Sequence, residues 1–131
     1  MADIVKTLKE KPGFIALKGK GAAPDQIEQA ETKLGVRFAK EYLDYVSALG
    51  VASFENHELT GLCASPRLNV ASVTAEERAR TPEVPENWYV VEQANIDDIV
   101  IWQSHTGEIF QTMPGAQPIR LYGSLAEYIN S

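Results

Sequence analysis

The feature that most constrains this chain is a change of repeat at Gly50. Before it, two stretches set apolar residues three and four apart: Ile27, Ala30 and Leu34 in the first, then Tyr42, Tyr45, Val46 and Leu49 in the second. That spacing predicts two helices, each with one apolar stripe. Each stretch ends on a glycine, Gly35 and Gly50, the residue that closes a helix in the left-handed conformation without a steric cost. After Gly50 the period shortens to two. Phe54, His57, Leu59 and Leu62 are set among Glu55, Asn56, Glu58 and Thr60, which predicts one strand running to Gly61. A helical hairpin that feeds a sheet makes the chain α+β.

The flanking segments extend this pattern. A first helix is expected over Asp3 to Lys11, with Ile4, Val5 and Leu8 on one face and Pro12-Gly13 as its stop. Lys18 to Ala23 reads as a loop, and Pro24 sits where a first helical residue tolerates proline. A helix is expected from Asn69 to about Thr81, or from a later start if Thr74 and Glu77 form a capping box. Beyond a loop marked by Pro82, Pro85 and Asn87, the runs "WYVVEQA", "DDIVIWQS", "GEIFQTM" and "PIRLYG" predict an antiparallel meander, with reversals at Ser104 to Gly107 and at "MPGAQP". Ser124, with Glu127 three residues on, opens a short last helix. The expected architecture is a single domain over residues 1–131. In it, an antiparallel sheet of about five or six strands has N-terminal helices packed on it and a short C-terminal helix.

Composition narrows the setting. At 131 residues, with 44% apolar and 23% charged residues, the chain can bury one core without a covalent staple. Its single cysteine, Cys63, excludes a disulfide framework and a multi-cysteine zinc site. Lys6, Lys9 and Lys11 interrupt the N-terminal apolar residues, so a signal peptide is not expected, and no run approaches the ~20 apolar residues of a membrane span. The expected location is the cytoplasm. The net charge of −6 is uneven: residues 1–40 hold eight Lys/Arg against five acids, and the remainder holds four Arg against thirteen acids. An acidic second half repels phosphates, which argues against nucleic acid and for a basic protein partner, although the same charge also keeps a surface soluble.

Motifs for catalysis are weak. Asp97 and Asp98 are the most tempting pair, but adjacent residues of a strand face opposite ways, so the two converge on one atom only if they lie in a turn. His57, Glu58 and Cys63 match no metal-ligand spacing, and "GKGAAP" lacks the phosphate-loop pattern. No enzyme, metal or cofactor is expected. His105 occupies a predicted turn, where a solvated histidine needs no further role. Of Trp88, Tyr89, Trp102, Phe110 and Tyr122, most are expected in the core, and any left exposed beside acids would be a binding anchor. The candidate partner-binding residues are therefore Glu55, His57, Glu58, Glu92, Asp97, Asp98 and Trp102.

The ordered segments from Ala23 to Ile129 resemble the SUKH superfamily, the group that includes the yeast Smi/Knr cell-wall regulator and many bacterial immunity proteins. The resemblance rests on the pattern I-x-x-x-E-x-x-L-G, matched by Ile27, Glu31, Leu34 and Gly35, followed by an acidic-Tyr helix start at Glu41-Tyr42. Where family members usually carry proline before that second helix, this chain has Ala39. The resemblance implies helices packed on an antiparallel sheet and no catalytic motif. It also implies an immunity protein that binds a cognate toxin and occludes its active surface. A nuclease, whose active site is basic because it holds phosphates, is the toxin class that suits an acidic inhibitor. The alternative is a regulatory or scaffold module of the same fold.

Overall fold

The computed structural model describes residues 3–16, 21–55, 57–94 and 97–131. Asp3 opens α1 (Ile4–Lys9): its carboxylate accepts the backbone N–H groups of Val5 at 3.1 Å and Lys6 at 3.2 Å, two of the donors a helix start leaves unpaired. Of the predicted 18–23 loop, residues 18–20 lie outside the described residues, and 21–23 lead into α2 (Pro24–Leu34) with proline at its first position. Gly35 (φ 68°) closes α2 in the left-handed region, and the next N–H, from Val36, returns to the Glu31 carbonyl at 3.1 Å. Ala39 precedes the next helix. It is extended, and α3 (Lys40–Leu49) starts from it without a side-chain cap. Gly50 (φ 74°) then turns the chain out of α3.

The predicted single strand over residues 54–61 is instead a hairpin. β2 (Ala52–Phe54) pairs antiparallel with β3 (His57–Glu58), in register Ser53↔Glu58 and Phe54↔His57. Its reversal puts Glu55 at φ 49°, and Asn56 lies outside the described residues. An alternating run of polar and apolar residues cannot distinguish one strand from two when the turn holds only ordinary polar residues. A two-residue strand that sequence reading did not find, β1 (Ile15–Ala16), completes this sheet against β2.

Asn69 opens α4 (Val70–Arg80), its side-chain oxygen accepting from Ala71 N–H at 3.0 Å and Ser72 N–H at 3.3 Å, so the later start at Thr74 is not used. Thr74 lies within the helix, fully buried, and its hydroxyl oxygen accepts the Val90 N–H at 3.0 Å. The meander follows as expected: β4 (Tyr89–Gln93), β5 (Val100–Gln103), β6 (Ile109–Thr112) and β7 (Ile119–Tyr122), each antiparallel to the next. Ser124 caps α5 (Leu125–Ile129), accepting from Glu127 N–H at 3.1 Å.

Among the described residues there are thus two antiparallel sheets, of three and four strands, in place of one sheet of five or six. They meet where β3 passes β4, through the bridge Leu59↔Glu92 and the bond from Thr60 N–H to Val91 O at 2.9 Å.

Apolar clusters form on both faces of the four-stranded sheet. The larger joins the helices to Tyr89, Val91, Ile101 and Ile109. The smaller joins Val73 of α4 and Val84 to Trp88, Val90, Val100 and Trp102, with Phe110 at its margin. Burial on both faces explains why β4 and β5 read as nearly continuous apolar runs.

Candidate partner-binding face

The Leu59↔Glu92 bridge is antiparallel, so the β2–β3 hairpin and the C-terminal end of β4 travel to the same edge of the molecule. Glu55 lies at the hairpin's reversal, and in the β4–β5 turn Asp97 (φ 52°) and Asp98 (φ 56°) are both left-handed and exposed. Left-handed backbone is tolerated by Asp better than by most residues, which accounts for the pair in a tight turn. The turn closes with Ala94 N–H donating to Ile99 O at 3.0 Å. Glu58, on β3, is held by the Arg67 guanidinium through two parallel bonds of 2.9 and 3.1 Å. Those bonds keep its carboxyl below the usual carboxylate range.

Glu92 is placed differently. The register of β4 on β5 runs Val90↔Trp102 and then Glu92↔Ile101, so Val91 is an extra residue, a β-bulge. The extra residue turns Glu92 toward the face it shares with Ile101, where it is 2% exposed. There it meets His57, whose Nδ1 lies 3.0 Å from both carboxylate oxygens, and the Tyr128 hydroxyl of α5, which donates to Oε1. His57 stacks on Phe54 at 5.0 Å, and the edge of Tyr128 closes on it at 6.3 Å. Burial, and then the charge of Glu92, push the Tyr128 hydroxyl far above the ordinary tyrosine range.

Of the seven sequence-predicted contact residues, then, Glu55, Asp97 and Asp98 stand on the surface, and His57 and Glu58 are half exposed. Glu92 and Trp102 do not. Trp102 is wholly buried in the smaller apolar cluster, its indole N–H donating to Thr112 Oγ1 at 2.8 Å, so neither residue offers surface to a partner. The alternation argument left Trp102 open to solvent because it could not foresee α4 covering the second face of the sheet.

Tyr128 and Arg67 were not found from sequence. Each joins the site from a segment whose periodicity carries no signal of it.

Other candidates fall elsewhere. Cys63 is half buried, its thiol directed at Ser65 O at 3.6 Å. His105 is exposed on the β5–β6 turn, at the rims of two shallow hollows of about 870 and 640 Å³ lined by Lys40 and Asp44 in one and by Glu28 and Arg37 in the other. Glu92 takes its histidine contact from His57 rather than from His105. Among the described residues, no three of His, Cys, Asp and Glu gather as ligands for a metal, and no helix is long and apolar enough to cross a membrane.

The residues that carry the sequence resemblance hold structural posts. Glu31 Oε2 accepts the Phe38 N–H at 2.9 Å, fixing the link between α2 and α3, with Ile27 and Leu34 buried on either side. Tyr42 is fully buried, its hydroxyl 2.9 Å from Thr60 Oγ1. A family model described as SUKH_5, SMI1-KNR4 cell-wall, matches residues 1–130. The chain belongs to the SUKH superfamily. No curated protein matches it. Ile27, Glu31, Leu34 and Tyr42 belong to the helical scaffold, while the acidic residues Glu55, Asp97 and Asp98 lie in the β2–β3 hairpin and the β4–β5 turn.

Proposed function

We propose that this SUKH protein is a bacterial immunity protein that binds a cognate toxin and covers its active surface, without a reaction of its own. The observation that carries the reading is the family match over residues 1–130, joined to an edge where Glu55, Asp97 and Asp98 project into solvent. A negative edge complements the basic active surface of a nuclease, speeds encounter, and suppresses binding to nucleic acid itself. The toxin is expected to be basic at the covered surface.

Growth rescue in cells that co-express the chain with the toxin encoded beside its gene tests the reading. Rescue supports it, and loss of rescue on charge reversal at Glu55, Glu58, Asp97 and Asp98 places the contact on this edge. Full rescue by the reversed protein removes the edge while leaving immunity in place.

A second reading, a regulatory or scaffold module, is favoured by the cell-wall description of the matching family model. An isolated locus with no toxin gene nearby supports that reading instead.

A further inference from the structure

Glu92 is a carboxylate buried where its charge needs an answer. Its side chain is 3% exposed, and among the described residues the one basic group within ion-pair reach of it is His57, whose side chain is 42% exposed. Nδ1 of His57 lies 3.0 Å from both Oε1 and Oε2, the geometry of one N–H shared between two acceptors. The Tyr128 hydroxyl donates to Oε1. Three elements therefore meet on this carboxylate: the β2–β3 hairpin through His57, β4 through Glu92 itself, and α5 through Tyr128.

The groups that face the ring decide what its charge does. β4 presents Glu92 and α5 presents Tyr128, while β2 presents the uncharged Phe54, stacked on the ring at 5.0 Å. Glu58, next along β3, gives its carboxylate to Arg67, and adjacent residues of a strand face opposite ways. Tyr128 stays neutral, since burial and then the charge of Glu92 push its hydroxyl far above the ordinary tyrosine range. His57 is thus the neighbour of Glu92 that can supply positive charge. A ring with protons on both nitrogens meets charge with charge, the condition under which a buried carboxylate is tolerated. A neutral ring can keep the Nδ1 N–H contact, but two neutral donors are then all that answer the buried negative charge.

We infer that His57, Glu92 and Tyr128 form a proton-dependent clasp: the hairpin is held to β4 and α5 while the His57 ring carries its second proton, and the seam loosens when that proton is lost. The charged ring favours the closed seam, so the hold weakens as pH rises. Because the hairpin also presents Glu55 and Glu58, the proton on His57 sets how firmly that candidate contact segment is held. The clasp is a property of the free protein and stands apart from the immunity reading.

The chain has two histidines, so their protons can be followed one by one. Ring-nitrogen NMR of the whole protein, scanned from about pH 5 to 8, reads the protonated fraction of His57 and of His105 separately. Hydrogen-exchange protection factors, which remove the intrinsic pH dependence of exchange, are measured over the same range for the hairpin, α5 and α2. Protection of the hairpin and α5 is expected to fall several-fold in step with loss of the His57 proton, while α2 changes little. His57→Gln, which keeps a donor but cannot titrate, is expected to abolish that dependence, and His105→Gln on the exposed β5–β6 turn to leave it unchanged. Glu92→Gln keeps an acceptor for Tyr128 and removes the charge, so it too is expected to abolish the dependence.

Three results overturn the clasp: His57 loses its proton with protection of the hairpin and α5 unchanged, the same dependence persists in His57→Gln, or it persists in Glu92→Gln. The first of these needs the wild type alone, so a variant that fails to fold does not shield the inference. Failure of the immunity reading looks different. A toxin that is not neutralised leaves each of these readings of the free protein where it was.

Discussion

The carboxylate of Glu41 accepts the backbone N–H of Leu125 at 2.6 Å, tying the first turn of α3 to the first turn of α5 across 84 positions of sequence. Its other oxygen, Oε2, takes the Ala126 N–H at 2.9 Å, and Gln103 donates from β5 to Oε1, the oxygen that also holds Leu125, at 3.0 Å. A negative group at a helix start satisfies unpaired donors and opposes the positive end of the helix dipole. Glu41→Ala leaves those donors half buried and unmet, and is expected to cost about 2–4 kcal/mol in chemical denaturation. Hydrogen exchange should rise in α5 first.

Trp102 yields a prediction about stability, where sequence reading assigned it to binding. Because the side chain is wholly buried and its N–H is bonded to Thr112, Trp102→Ala is expected to destabilise by about 3–5 kcal/mol. Trp102→Phe, which leaves the Thr112 hydroxyl without its donor, should cost less but remain measurable. Neither should alter the affinity of whatever fraction stays folded, which a binding assay corrected for active concentration checks.

Two glycines separate conformational strain from collision. Gly35 has φ 68° with nothing within 4 Å of a built Cβ, so Gly35→Ala is expected to cost only the left-handed penalty, about 1 kcal/mol. At Gly61 a Cβ would lie 2.0 Å from the Gly50 carbonyl oxygen, a backbone atom that cannot swing aside. Gly61→Ala should therefore displace the segment after Gly50, with a loss well beyond that of Gly35→Ala. Thermal midpoints of the two variants compare them directly.

These cases also separate what the sequence could tell from what it could not. The helical hairpin was legible because Ile27, Leu34, Tyr42 and Leu49 keep a 3.6-residue spacing and Gly35 and Gly50 supply the stops. The meander was legible from its turns. The split of residues 54–61 into β2 and β3 was not, since the reversal at Glu55 uses no glycine or proline and both strands are very short. The acidic edge was half legible. Exposure of Asp97 and Asp98 follows from turn chemistry, whereas the reversal at Glu55 and the inward rotation of Glu92 depend on strand pairing that no local pattern reveals. Arg67 and Tyr128 reach the site through tertiary contacts that leave no local pattern.

Alkaline pH should unfold the protein through its tyrosines. Burial lifts the hydroxyls of Tyr42, Tyr45, Tyr89 and Tyr128 above the ordinary tyrosine range, so the folded state keeps protons that the unfolded chain releases near pH 10. The stability these groups contribute is complete below that pH and falls as pH rises past it, by about 1.4 kcal/mol per pH unit for each. Spectrophotometric titration should show the four ionising late and together with loss of the circular dichroism signal. Ionisation of all five tyrosines at ordinary pH with the fold intact would show that the four are not buried as described.

The proposed function requires a negative edge that covers a basic surface of another protein. The most direct measurement is the association rate with the toxin encoded beside the gene, followed against salt concentration for the wild type and for the variant reversed at Glu55, Glu58, Asp97 and Asp98. A wild-type rate that falls steeply with salt, with a slow and nearly salt-independent rate in the variant, is the predicted result. A wild-type rate indifferent to salt, or one that the four reversals leave unchanged, would contradict it.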